Sequence, residues 1–145
     1  MPRGEENPDP AKSAAMARQR RRDTRVEMEL RRELHRRGLR YRLQQRVVPG
    51  APRRSVDIVF RAARVAVDCR ACWWHGCPTH WTGPNRNRSW WLSKLAANRD
   101  RDIDTERRLA DAGWLVIVAW EHDDPVDIAE RVETAVASRR RPTQD

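Results

Sequence analysis

Three aspartates stand where an acid is costly unless it is paired or holds a cation. Asp57 lies between Val56 and Ile58 in an apolar run, and Asp68 sits inside the run Val65-Ala66-Val67-Asp68-Cys69, just ahead of Arg70. Asp102 falls, at 100° per residue, between Leu95 and Leu109, on the arc of a helix that should face the core. An acid on one strand, followed by acid-x-base on the next, gathers carboxylate oxygens for Mg²⁺ and sets a cation near a scissile phosphate. The alternative is a pair of strand-edge acids in salt bridges with neighbouring arginines. Arg99 and Glu106 intrude on the same helical arc as Asp102, so a buried ion cluster competes with a functional role there. His75 flanks Trp74. If it approaches Asp102, the pair forms a general base with its orienting acid, able to activate a water; otherwise it is a structural histidine.

A second group of residues has the chemistry of a closed metal site. Cys72-x4-Cys77-x2-His80 sets three ligands within nine residues, and His122 follows a later apolar run. Zinc takes four such ligands in a tetrahedron, and it orders loops that lack a core of their own. The alternative is two small apolar cysteines and two surface histidines. Cys69, inside a strand, reads as a packing residue. Of the seven tryptophans, Trp114 and Trp120 bracket an apolar run and read as core. Trp73, Trp74, Trp81, Trp90 and Trp91 lie in or beside an arginine-rich loop, where side chains of this kind suit stacking on bases or wedging between them. A small satellite cluster covering the metal would absorb one or two of these.

The elements that must position these residues follow from periodicity. Val26, Leu30 and Leu34 repeat at helical spacing after a cap near Asp23–Thr24, and Gly38 supplies the stop. Leu39, Tyr41 and Leu43 alternate as in a strand with one solvated face. After a Pro49–Pro52 turn, Val56–Phe60 and Arg64–Cys69 read as the strands of a hairpin. Residues 70–88 form a structured loop. A helix from Ser89 to about Ala112 has Leu92, Leu95, Ile103 and Leu109 on one face and ends at Gly113. Trp114–Trp120 reads as a strand buried on both faces. Asp124 caps a last helix with Pro125 at its first position and Val126, Ala129, Val132 and Val136 as its apolar stripe.

The resulting class is one mixed α/β domain over residues 23–138, after a flexible basic arm at 1–22 and before a polar tail at 139–145. With 145 residues, one core suffices. The net charge of +9, carried by 30 basic residues of which only Lys12 and Lys94 are lysine, favours a polyanionic partner, most simply nucleic acid. The run Arg20-Arg21-Arg22 in the arm is a candidate phosphate contact, or else a solvated tail. No apolar run is long enough to span a membrane, and no secretory signal opens the chain. Three clustered cysteines argue against a disulfide scaffold and for a reducing, cytoplasmic setting, with association to the nucleoid.

Read together, Asp23-Thr24-x2-Glu27, Val56-Asp57-Ile58-Val59-Phe60, Cys72-Trp-Trp-His-Gly-Cys-Pro-x-His80, Asn98-x-Asp-Arg-Asp102, Gly113-Trp114 and Trp120-Glu-His122 resemble, in order, the very short patch repair (Vsr) endonucleases. The resemblance spans about residues 14–136. It implies a restriction-endonuclease-like fold, with a central mixed sheet flanked by helices, and a Mg²⁺-dependent nick beside a T·G mismatch left by deamination of 5-methylcytosine. It further implies that Asp57 binds the catalytic metal with the Cys69 backbone carbonyl, and that His75 and Asp102 activate the water. Glu27 takes the acidic position near the active site. Cys72, Cys77, His80 and His122 take the structural zinc, and Trp73, Trp74 and Trp91 wedge into DNA.

Two departures are visible. Arg70 stands where the family usually has Asp or His, with Ala71 for its Gly and Asp68 for an apolar residue. Arg53-Arg54-Ser55 precede the Asp57 strand, where a proline is common. The expectation is that Asp68 supplies a second Mg²⁺ ligand and Arg70 steadies the phosphate; the rival is a site that binds DNA and cuts poorly. The leading function is a mismatch-directed, double-stranded-DNA endonuclease, monomeric and acting alongside a cytosine methyltransferase and a repair polymerase. The alternatives are a restriction or defence nuclease with another DNA target, and a zinc-stabilised DNA-binding module.

Overall fold

A computed structural model describes residues 25–72, 77 and 86–140. Its elements, in order, are α1 (Arg25–Arg36), β1 (Arg42–Gln45), β2 (Val56–Phe60), β3 (Val65–Arg70), α2 (Arg88–Asp111), β4 (Leu115–Trp120) and α3 (Pro125–Arg139). The four strands form one sheet in the order β1-β2-β3-β4. β1, β2 and β3 run antiparallel to their neighbours, and β4 joins β3 in parallel, so the α/β class with a mixed sheet holds. No helix among the described residues is long and apolar enough to cross a membrane.

α1 and α3 cover one face of the sheet. Val26, Leu30 and Leu34 of α1 meet Ile58, Phe60, Val65, Val67, Ile117, Ala129 and Val132 in one buried cluster. The stop of α1 is local: Gly38 adopts φ +78°, Leu39 N–H reaches Leu34 C=O at 3.0 Å, and the reversed chain turns into β1. Asp124 caps α3 as its type predicts, its carboxylate accepting from Val126 N–H at 2.9 Å with Pro125 just inside. The strand at 39–43 is shifted: ladder pairing covers Arg42–Gln45. Tyr41 lies ahead of it and packs edge-on against Phe60, its hydroxyl donating to Arg31 C=O at 3.1 Å.

The opposite face holds Val59, Ala66 and Leu109 in a smaller cluster, and α2 lies over it. Here four expectations fail. Of the four apolar residues assigned to the inner face of α2, only Leu95 and Leu109 are buried, while Leu92 is 41% and Ile103 63% exposed. At 100° per residue Leu92 and Ile103 lie about 100° and about 120° round the helix from Leu109, off the stripe that meets the sheet. β4 is an edge strand: Ile117 and Ala119 are buried, Leu115 is exposed and the other residues are half-covered. Trp120 is likewise half-buried, not core, whereas Trp114, also half-buried, packs against this smaller cluster. Val126 is exposed as well, and Ile128 takes its place in the stripe of α3.

Candidate active site

The β2–β3 register pairs Ile58 with Val67 and Val59 with Ala66. Continued by one residue beyond Ile58–Val67, it sets Asp57 opposite Asp68, on the face that carries Val59 and Ala66 and meets α2. Arg70, two residues beyond Asp68, shares that face. On α2 the residues that line the same space are Asn98, Arg101, Asp102, Thr105, Glu106 and Leu109, at the i, i+3, i+4 spacing of one helical stripe. The stripe facing the sheet is therefore polar over most of its length, which accounts for acids on an arc that should be apolar. Between the two walls lies a cleft of about 420 Å³.

Asp57, Asp68 and Asp102 all line this cleft, as does Cys69. Asp57 is buried; its Oδ2 accepts from the Cys69 N–H at 2.7 Å and its Oδ1 from Gln44 Nε2 at 3.0 Å. Gln44 adopts φ +49° within β1 and takes a further bond from the Ser55 hydroxyl. Burial pushes the Asp57 carboxyl up to about 8, and the neighbouring charge of Asp68 adds to the shift against the opposing Cys69 N–H. Glu27 of α1 is fully buried behind this group, 3.9 Å from Arg31 Nη2, and its charge raises Asp57 further. Thus four of the predicted acids share one electrostatic neighbourhood: three in the cleft and Glu27 behind it.

Arg70 is buried and does not line the cleft. Its Nε donates to Asp68 Oδ2 at 3.0 Å and lies 3.9 Å from Asp102 Oδ2, while Nη2 donates to Glu106 Oε1 at 2.6 Å. The guanidinium also stands 5.8 Å from the ring centre of Trp120. Burial opposes its charge, but Asp68, Asp102 and Glu106 outweigh burial and hold its pKa above the usual arginine value. Sequence reasoning named Glu106 only as an intruder on the arc, and passed over Gln44. The i+4 spacing from Asp102 was the available signal for Glu106; nothing in the residue order pointed to Gln44.

The parallel β3–β4 pair builds the second site. Arg70 is in register with Trp120, so residues 72 and 122 leave the sheet side by side. Glu121 secures the crossing, its N–H donating to Arg70 C=O at 2.9 Å and its carboxylate accepting from Cys72 N–H at 2.7 Å. Cys72 Sγ then lies 3.2 Å and Cys77 Sγ 3.7 Å from His122 Nδ1, and the three ligand atoms fall within 4.8 Å of one another. Two buried sulfurs and an imidazole nitrogen converging on one point fit three corners of a tetrahedral metal site. Burial and its neighbours push the Cys72 thiol up to about 12, a preference for the protonated form that a bound dication would reverse. Cys69 is not one of these ligands and packs in the main core.

Trp91 lies in the first turn of α2, half-buried and edge-on to Trp90 at 4.8 Å. His75, His80, Trp73, Trp74 and the arm residues Arg20, Arg21 and Arg22 lie outside the described residues.

Comparison with known proteins gives the family. The sequence model of the family described as DNA mismatch endonuclease Vsr matches residues 7–82. A type II nicking enzyme, V.NaeI of Lentzea aerocolonigenes, is 38% identical over 125 residues, covering 85% of this chain and 75% of that protein. The type II nicking enzyme V.XorIIP of Xanthomonas oryzae pv. oryzae is 39% identical over 101 residues, covering 68% and 71%. The DNA mismatch endonuclease Vsr of Escherichia coli is 33% identical over 101 residues, covering 69% of this chain and 62% of that protein.

Proposed function

The chain belongs to the Vsr family of DNA mismatch endonucleases, and from that membership we propose that this DNA endonuclease nicks one strand of a duplex beside a T·G mismatch. The observation that carries the reading is the convergence of Asp57, Asp68 and Asp102 on one cleft from three different elements. In this proposal Asp57 and Asp68 hold a catalytic Mg²⁺, with the Cys69 carbonyl completing the protein's share. Such an ion, when bound, neutralises charge on the scissile phosphate and acidifies water. Asp57 and Asp68 come from neighbouring strands to one end of the cleft, and Gln44 and the Cys69 N–H hold the Asp57 carboxylate in one orientation for the ion. Asp102 orients His75, which accepts the proton of the attacking water. Glu27 sets the field behind Asp57.

Cys72, Cys77, His80 and His122 hold a structural Zn²⁺ in the same reading, pinning the loop that carries His75 to the end of β4. Trp73, Trp74 and Trp91 wedge into the stack beside the mismatch, and Arg20, Arg21 and Arg22 contact phosphates from an N-terminal arm at 1–22. The enzyme acts as a monomer, because a single nick needs one active site, and it works alongside a cytosine methyltransferase and a repair polymerase in the cytoplasm, at the nucleoid. That V.NaeI and V.XorIIP are type II nicking enzymes supports a second reading, a nicking nuclease with another DNA target. Gel-resolved cleavage of T·G and fully paired duplexes, with and without Mg²⁺, separates these. A nick only at T·G is expected; cleavage of paired DNA favours the second reading, and binding without cleavage overturns both.

A further inference from the structure

The cleft acids come from β2, β3 and α2, yet the backbone of α2 packs closely on β4 rather than on β3. Beyond the apolar contact of Leu109 with the cluster that holds Ala66, α2 is tied to the strand bearing Asp68 by one buried side chain, Arg70, whose fork spans two elements. Its Nε bonds Asp68 on its own strand, and its Nη2 bonds Glu106 one helical turn beyond Asp102. The short bond to Glu106 draws the guanidinium along the helix, so that Asp102 stays 3.9 Å from Nε, outside hydrogen-bond distance. Trp120 closes the other side of the group. We propose that Arg70 and Glu106 are positioning residues of this active site: together they brace α2 against β3 and fix the rotamer of Asp68.

This inference rests on the nuclease reading of the cleft and changes the part given to Arg70. A guanidinium set behind the cleft wall and bonded to two carboxylates acts on the phosphate through the acids it holds. The reach of the fork is essential, because an ammonium is a point charge that can bridge Asp68 and Glu106 only by moving between them. A shorter acid at 106 retains the charge and loses the contact.

Two charge-conserving substitutions therefore test the brace, Arg70→Lys and Glu106→Asp, singly and together. On a T·G duplex each should lower kcat about tenfold or more while KM for the duplex stays within about twofold. The double variant should be little worse than the poorer single, since both break one contact. Calorimetric titration of the DNA-free proteins with Mg²⁺ should show weaker binding in all three variants, with thermal midpoints still reporting a cooperative fold. Wild-type kcat and Mg²⁺ affinity in both single variants would overturn the brace, as would losses that multiply in the double variant. A wild-type protein that nicks neither duplex would overturn the nuclease reading instead, and the Mg²⁺ titration would still decide the brace.

Discussion

α2 carries two ion clusters within one turn of each other, and their balances are opposite. In the first, the single cation Arg70 serves Asp68, Glu106 and, at longer range, Asp102, with buried Asp57 beyond. In the second, the single acid Asp104 serves three cations: Arg54 Nη1 at 2.5 Å, Arg107 Nη2 at 2.8 Å and Arg108 Nε at 2.8 Å. Both tie α2 to the body of the protein. Arg70 reaches β3, whereas Arg54 bonds Asp104 and Thr105, and Arg108 Nη1 donates to Pro49 C=O at 3.1 Å in the turn before β2. Their protons respond in opposite senses: burial and Asp68 push Asp57 up to about 8, while Arg108 and Arg54 hold Asp104 down at about 2. A cluster with surplus cations is complete as it stands. The acids around Arg70 outnumber the one guanidinium bonded to them, although Arg53, Arg54 and Arg101 also line the cleft, and that local imbalance separates the two clusters.

The widest gap between the two clusters should appear in nicking rate. Asp57→Ala and Asp68→Ala are each expected to lower kcat on a T·G duplex by about a hundredfold or more, whereas Asp104→Ala should leave it within about threefold. Full activity in Asp68→Ala would leave Asp57 as the one strand acid that matters and would dissolve the proposed pair. Equal losses in Asp68→Ala and Asp104→Ala would erase the distinction between the clusters altogether.

Cys72, Cys77 and His122 form a third kind of cluster, three groups that could hold a metal ion, and in the proposed reading that cation would be part of the fold. Purified protein should contain one zinc per chain. Cys77→Ser, or prolonged chelation, should lower the thermal midpoint by roughly 10 °C or more. Re-addition of Mg²⁺ alone should not restore it. Stoichiometric zinc absent from a protein that still melts cooperatively at the same temperature would refute the assignment. A smaller response belongs to the acid-rich cleft: millimolar Mg²⁺ should raise the midpoint of wild-type and Asp104→Ala protein by a few degrees and leave Asp57→Ala unmoved, by linkage of binding to the folded state. A shift in Asp57→Ala as large as in wild type would put the ion elsewhere.

How much of this was legible in the residues depended on whether the signal was local. Caps, stops and strands were readable because Asp124, Pro125 and Gly38 act within their own turn of chain, and because β-branched runs at 56–60 and 65–69 need only each other. The acids stood out as anomalies, since an aspartate between Val56 and Ile58 violates the pattern around it. Environment was less readable than type. The run 114–120 is apolar enough for a central strand, but its position at the sheet edge is decided by what does not pair with it. Leu92 and Ile103 are apolar members of α2 that point about 100° and about 120° round the helix from buried Leu109, and so are exposed. Glu106 and Gln44 were unreadable for a different reason: their roles exist only through partners 36 and 13 positions away.

The cation-rich cluster offers the smallest and most specific test. The folded pKa of Asp104 is depressed from 3.8 to about 2, with hydrogen bonds from Arg108 and Arg54 as the main causes. On acidification the unfolded chain therefore takes up this proton first. The contribution of Asp104 to stability is complete above about pH 4 and is lost as pH falls through 2. Its side chain is 24% exposed, so solvent screens the pairs and the effect is modest. In Asp104→Asn protein the thermal midpoint should be a few degrees lower at pH 5, and the difference from wild type should close between pH 4 and pH 2. A difference that persists unchanged at pH 2 would mean that Asp104 acts by packing and not by charge. The two clusters on α2 would then differ in more than the sign of their surplus.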